Sequence, residues 1–201
     1  MSVGSRRNYD RRRRKEYLAV GYPVRNFKQE LTATWSLGET IKTAIIGALY
    51  IGLTMVLAPL AYGIFQIRIS ETLGMLPYDR KYGGRSAAIG VVLGGTIVGF
   101  LSPHGIADLL LGIVSGILCL GFVWWAGIAF KGNNAGKIVA GAVFSLITTF
   151  FIGYLMLHIV FQAPFWEAIF GVLIGEVITV IGLGFGLLKG LEATYMRRKK
   201  E

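Results

Sequence analysis

Apolar residues fall into six runs along the chain, at about 41–61, 63–77, 86–102, 106–129, 136–160 and 165–188, with brief connections between them. A helix that spans a membrane needs roughly 20 mostly apolar residues. The pattern therefore predicts an all-α, polytopic membrane protein built as a bundle of six transmembrane helices. The second run is the shortest and most polar of the six. Turn-type sequences mark the connections: Ala58-Pro59, Pro77-Tyr78, Ser102-Pro103-His104-Gly105, Lys131-Gly132-Asn133-Asn134 and Gln162-Ala163-Pro164.

Composition agrees with a membrane environment. Hydrophobic residues make up 54% and charged residues only 16%, against about 25% charged in typical soluble domains. Mean hydropathy is +0.59. Most of the 28 glycines lie within the apolar runs, where small residues let helix backbones approach closely. The net charge of +10 would suit a nucleic-acid binder, but that charge sits in the tails and two short loops. A basic arm against anionic lipid headgroups is the better reading. Residues 1–39 contain no apolar core of the signal-peptide kind. They read as a basic cytoplasmic arm, followed by a membrane domain over 40–189 and a basic tail over 190–201.

Charge also predicts orientation. Twenty of the 21 Lys and Arg residues fall on one predicted side: nine in the arm, Lys42 at the first entrance, Arg80, Lys81, Arg85, Lys131 and Lys137 in two loops, and five from Lys189 onward. The other three connections hold none. Cytoplasmic loops are enriched in Lys and Arg, so both termini are expected inside, which requires an even number of crossings. Six crossings satisfy this.

The exception is Arg68, in Gln66-Ile67-Arg68-Ile69-Ser70-Glu71. With Glu71, Asp108 and Glu176 it forms a set of charges within the apolar runs, and Glu167 lies near the outer end of the sixth. A charge at membrane depth costs about 2.5–3.5 kcal/mol on insertion scales, so such groups face a cavity or one another. Arg68 and Glu71, three apart, can pair on a helix, or they can line a pocket with Gln66. Arg and Gln donate to a carbonyl while a carboxylate accepts two N–H groups, which matches the edge of a guanine-like base among other polar solutes. Asp108 follows Ser102-Pro103, where its charge suits a helix start as well as a pocket. Glu176 falls mid-run with no Lys or Arg nearby in sequence. One cation against three carboxylates suits a cationic ligand, or else carboxylates neutralised by desolvation.

Several groups call for no special chemistry. His104 and His158 lack ligand-like spacing, Cys119 is the only cysteine, and no cofactor or metal is expected. No Walker-type Gly-rich sequence is present, so ATP-driven activity would have to come from another subunit. Trp124, Trp125, Trp166 and Tyr154 read as packing residues or interfacial anchors. Small residues recur at intervals of four at Ala44/Ala48/Gly52, Gly90/Gly94, Gly95/Gly99, Gly112/Gly116, Gly171/Gly175 and Gly182/Gly186. Spacing alone does not identify which of these ridges meets a partner.

Ala48-Leu-Tyr-Ile-Gly-Leu-Thr-Met-Val-Leu-Ala58-Pro59, then Gln66-Ile-Arg68-Ile-Ser70-Glu71 leading to Leu76-Pro77-Tyr78, then Leu101-Ser102-Pro103-His104-Gly105-Ile-Ala-Asp108, resemble the QueT family over roughly 44–125. These are proposed substrate-binding (S) components of energy-coupling-factor (ECF) transporters for queuosine precursors. The resemblance implies a six-helix membrane component that captures a deazaguanine such as preQ0, preQ1 or queuine from outside. It also implies partnership with a transmembrane coupling subunit and two cytoplasmic ATPases. Ala44 and Ala48 match the Ala-x-x-x-Ala motif that meets the coupling subunit in that superfamily. Where the resemblance leads one to expect an Asn in the third span, this chain has Gly99, and its Arg-rich arm is long for the family.

The leading expectation is therefore a non-enzymatic S component with Gln66, Arg68, Glu71, Asp108 and Glu176 binding substrate and Ala44 and Ala48 binding the partner. A self-sufficient secondary transporter or channel for a small polar or cationic solute is the alternative. An intramembrane enzyme is disfavoured, because no helix carries a nucleophile–base pair.

Overall fold

In the computed structural model, residues 31–62 and 66–198 are described, with side chains through Thr194. The expected basic arm falls largely in residues 1–30, outside the described residues, as do Lys199 and Lys200. The chain divides into two units, Met1–Thr34 and Trp35–Glu201. Only residues 31–34 of the first are described, so the architecture below is that of the second.

The first helix, α1 (Leu37–Val56), opens with a capping box. The Ser36 Oγ accepts from the Glu39 N–H at 3.3 Å, and the Glu39 carboxylate accepts from the Ser36 N–H at 2.9 Å. This reciprocal pair satisfies donors that a helix start leaves unpaired. The helix stops at Leu57, before Pro59, and a single turn, α2 (Ala58–Ala61), follows. Next come α3 (Gly84–Phe100), α4 (Gly105–Ala129) and α5 (Asn134–Thr148), the last N-capped by the Asn133 side chain accepting from the Gly136 N–H at 2.6 Å. The α5 helix continues as a π-helix over Thr149–Val160. The last rod is α6 (Phe165–Glu176), a π-helical stretch Val177–Gly184, and α7 (Phe185–Arg198).

Four stretches are long and apolar enough to cross a membrane: Leu37–Val56, Gly105–Ala129, Asn134–Val160 and Phe165–Thr194. The α3 helix is apolar but shorter, at 17 residues. No strand occurs among the described residues. The surface is inverted relative to a soluble protein: Leu37, Val56, Phe100 and Ile106 are more than 70% exposed, while Asp108 and Glu176 are buried. Apolar groups turned outward and charges turned inward are what a hydrocarbon surround selects.

The second apolar run departs from the expected spanning helix. Residues 66–68 form no regular element, Arg68 among them being extended, and Ile69–Tyr78 form a ten-residue 3₁₀ helix. Runs of this helix longer than three or four residues are uncommon. Eight of its ten residues are buried, and it packs against α1, α3, α4 and the π-helical stretch of the last rod. Irregular backbone at membrane depth is tolerated where protein surrounds it. Glycines permit the close fit: a Cβ on Gly74 would meet the Phe144 ring at 2.7 Å, and one on Gly184 would meet Met75 Cγ at 2.6 Å.

Long-range contacts sort the chain into two ends. At one, Arg85 pairs with Glu39, Lys42 Nζ donates to the Lys81 carbonyl at 3.4 Å, and Lys137 and Lys189 pair with Glu192. Tyr78 reaches this end, its hydroxyl donating to the Asn133 carbonyl at 2.8 Å. At the other end the Tyr62 hydroxyl donates to the Val98 carbonyl at 3.4 Å, and His104 packs between Tyr62 and Phe161. The described residues 66–78 thus run through the bundle as interior polypeptide.

The small-residue ridges separate by face. A Cβ on Gly90 would meet the Thr43 carbonyl at 2.6 Å, and one on Gly94 the Gly47 carbonyl at 2.9 Å, so α1 and α3 touch backbone to backbone. Ala44, Ala48 and Gly52 lie on another face of α1 and are exposed.

Candidate functional site

Gln66, Arg68, Glu71, Asp108 and Glu176 come from four separate elements and line one cavity. It encloses about 640 Å³ of space free of protein atoms, part of it continuous with solvent. Val91, Val92, Leu120, Phe144 and Ile152 supply apolar wall. Arg68 is the single cation among the lining residues, facing three carboxylates.

Local structure explains the placement. Gln66 has a positive φ of 41°, a turn that leads toward the extended Arg68 and the 3₁₀ helix. Arg68 is the residue before that helix and Glu71 lies in its first turn. The Arg68 guanidinium sits 3.7 Å from Glu71 Oε1 and 3.7 Å from Asp108 Oδ2, and 5.5 Å from the Tyr62 ring centroid. Neither ion pair closes to hydrogen-bond distance. Glu71 is held from the opposite side, because the Tyr50 hydroxyl donates to its Oε1 at 2.7 Å. Beside them Thr54 and Ser70 hydroxyls lie 2.6 Å apart.

Both readings of Asp108 apply. It lies in the first turn of α4, and it is buried against the cavity. Its Oδ2 has no hydrogen-bond partner. Glu176 closes α6, is 4% exposed, and its Oε2 likewise has no partner. Buried polar atoms are nearly always hydrogen-bonded, so two unpaired carboxylate oxygens facing one cavity are unusual.

Sequence reading passed over Tyr50, Ser115, Cys119 and Thr148, which also line the cavity. Tyr50 was legible: with Thr54 it places two hydroxyls at an interval of four on an apolar helix. Cys119 and Thr148 carried no such signal, and their Sγ and Oγ1 meet at 3.6 Å only because α4 and α5 pack together. Gly99 does not line the cavity, and a Cβ there would meet Leu109 Cα at 3.0 Å. Its role is the close approach of α3 to α4.

His158 Nδ1 lies 2.9 Å from the Ala163 carbonyl, the ordinary hydrogen bond expected of it. His104 Nδ1 is buried without a hydrogen-bond partner among the described residues. Trp166 and Trp125 are exposed while Trp124 is buried.

An apolar exterior around buried charged groups marks a membrane protein. The sequence model of the QueT transporter family matches residues 40–193, and the chain belongs to that family. The match extends the resemblance seen over roughly 44–125 to nearly the whole helical region. Comparison with curated proteins and with solved structures gave no match.

Proposed function

We propose that this membrane transporter protein is the substrate-binding component of an ECF-type uptake system, and that its ligand is a deazaguanine precursor of queuosine. The observation that carries the reading is the cavity itself. In a QueT-family chain, Arg68 and Gln66 supply donors for a ligand carbonyl, while Glu71 and Asp108 supply acceptors for paired N–H groups. Phe144 and the valines offer the apolar surface that a flat base needs.

In this reading the chain crosses the membrane six times, with both termini and the basic end cytoplasmic and the Tyr62–His104 end outside. Support comes from Lys42, Arg85, Lys137 and Lys189 gathering at one end, as the bias of basic residues toward the cytoplasm requires. Tyr62 and Asp108, near the opposite end, both lie beside Arg68 of the cavity. A ligand would therefore enter from outside. Coupling to ATP hydrolysis belongs to partner subunits, which would dock on the exposed Ala44/Ala48 face of α1. Small residues there would allow close helix contact without touching the cavity.

One experiment tests both halves. Purified wild-type protein should bind deazaguanines in calorimetry. Ala48→Trp should bind them within about twofold of wild type, because the face is remote from the cavity, yet lose uptake and copurification with the coupling complex. If wild-type uptake proceeds in vesicles without ATPase subunits, the self-sufficient transporter is the correct description. Equal loss of binding in Ala48→Trp would make the face internal packing.

A further inference from the structure

The cavity is electrostatically lopsided, and the imbalance names a part of the ligand. Arg68 compensates two carboxylates, at 3.7 Å from each of Glu71 and Asp108, and Tyr50 adds a hydrogen bond to Glu71. Glu176 makes no such contact. No Lys or Arg among the described residues comes within 4.0 Å of it, its Oε2 accepts no hydrogen bond, and it is 4% exposed. It also lies deeper. Asp108 is in the first turn of α4, whereas Glu176 ends the twelve-residue α6, so from the same end of the bundle Glu176 is roughly two turns further in. The cavity lining also includes a thiol and a hydroxyl, Cys119 and Thr148, neither of which carries a positive charge.

We infer that Glu176 is a cation-reading pole, which holds an ammonium group of the ligand while the Arg68–Glu71–Asp108 pole holds the ligand's neutral hydrogen-bonding edge. A buried carboxylate without a partner is costly, and a charge-assisted hydrogen bond from a cation is the strongest way to satisfy it. The preferred substrate is then a base carrying a primary amine on a short arm, protonated at neutral pH. Uncharged or carboxylated analogues of the same base leave Glu176 unpaired or repelled. The inference rests on the proposed deazaguanine reading and selects among its members.

The test compares two isosteric ligands, 7-aminomethyl- and 7-hydroxymethyl-7-deazaguanine, which differ at the arm in charge. Calorimetry on the purified full chain should show wild type preferring the amine by at least about tenfold, the scale of one charged hydrogen bond. Glu176→Gln keeps the shape of the side chain without its charge and should bind the two ligands equally. Asp108→Asn removes the same charge from the cavity and should weaken both ligands while keeping the preference. Equal binding of the two ligands by wild type overturns the inference without recourse to any variant. So does a preference that survives Glu176→Gln, which would mean a neutral acid suffices, or one that collapses equally in Asp108→Asn, which would assign it to diffuse charge. If wild type binds neither ligand, the deazaguanine reading falls and this inference falls with it.

Discussion

Arg85 and Arg68 each face carboxylates from neighbouring elements, and the two sites are built in opposite ways. At the basic end, Arg85 Nε and Nη2 donate to the two oxygens of Glu39 at 2.7 and 2.9 Å, and its guanidinium covers the Trp35 ring at 4.9 Å. The Glu39 side chain also closes the helix cap through Ser36. The valences of that carboxylate are engaged, and nothing is left to recruit a ligand. In the interior, Arg68 stands 3.7 Å from both of its carboxylates, and oxygens of Asp108 and Glu176 remain unpaired. A closed network holds structure together. An open one, surrounded by protein, is where the proposed ligand would supply the missing hydrogen bonds.

The sharpest break in this contrast comes from Arg68→Met, which leaves Glu71, Asp108 and Glu176 lining the cavity with no cation among its residues. Removing one partner of a buried charge cluster costs about 3–5 kcal/mol. Deazaguanine binding should fall below detection in calorimetry, and the thermal midpoint in detergent should drop. Binding at wild-type strength would make the central pairs structural. Next in size is Glu71→Gln. Its amide oxygen still accepts from Tyr50, so the fold should hold, but an N–H then faces donors instead of an acceptor facing them. An unpaired buried donor costs about 1–3 kcal/mol, or at least about tenfold in affinity near the middle of that range. Wild-type affinity in a folded Glu71→Gln protein would move recognition to Asp108 and Glu176. The smallest effect belongs to the basic end. Glu39→Gln keeps a capping-box residue and loses an ion pair at a site that is partly exposed, worth at most about 1 kcal/mol. The midpoint should shift slightly and ligand affinity stay within twofold. A large loss of binding there would couple the two ends and undo the contrast.

Some of this was legible in the residues before any coordinates. Hydropathy picked out the long apolar rods, and the order of charged and apolar runs singled out Arg68, Glu71, Asp108 and Glu176 as groups that membrane depth makes expensive. Helix type in the second run was not legible. Apolar content predicted a span over 63–77, whereas its described part, from residue 66 on, is irregular and then 3₁₀-helical, since its backbone is surrounded by protein and can depart from the α-helix. The ridges were equally ambiguous on the page: Gly90/Gly94 and Ala44/Ala48 share a spacing, yet one is in backbone contact with its neighbour and the other is exposed.

What the sequence determined by itself is one-dimensional: that the chain belongs in a membrane, which family it belongs to, and which few side chains carry charge inside apolar runs. Those follow from local composition, because the cost of each residue in hydrocarbon depends mainly on its own chemistry. Which charges are satisfied was decided only by tertiary structure. Arg68 and Asp108 are 40 positions apart, with Glu176 further still along the chain, and whether they close to hydrogen-bond distance depends on how four elements pack. Hydroxyl and thiol groups such as Thr148 and Cys119 became part of the cavity for the same reason. They are cheap enough in a membrane to pass unnoticed in sequence, and only the meeting of α4 with α5 brought them together in the cavity lining.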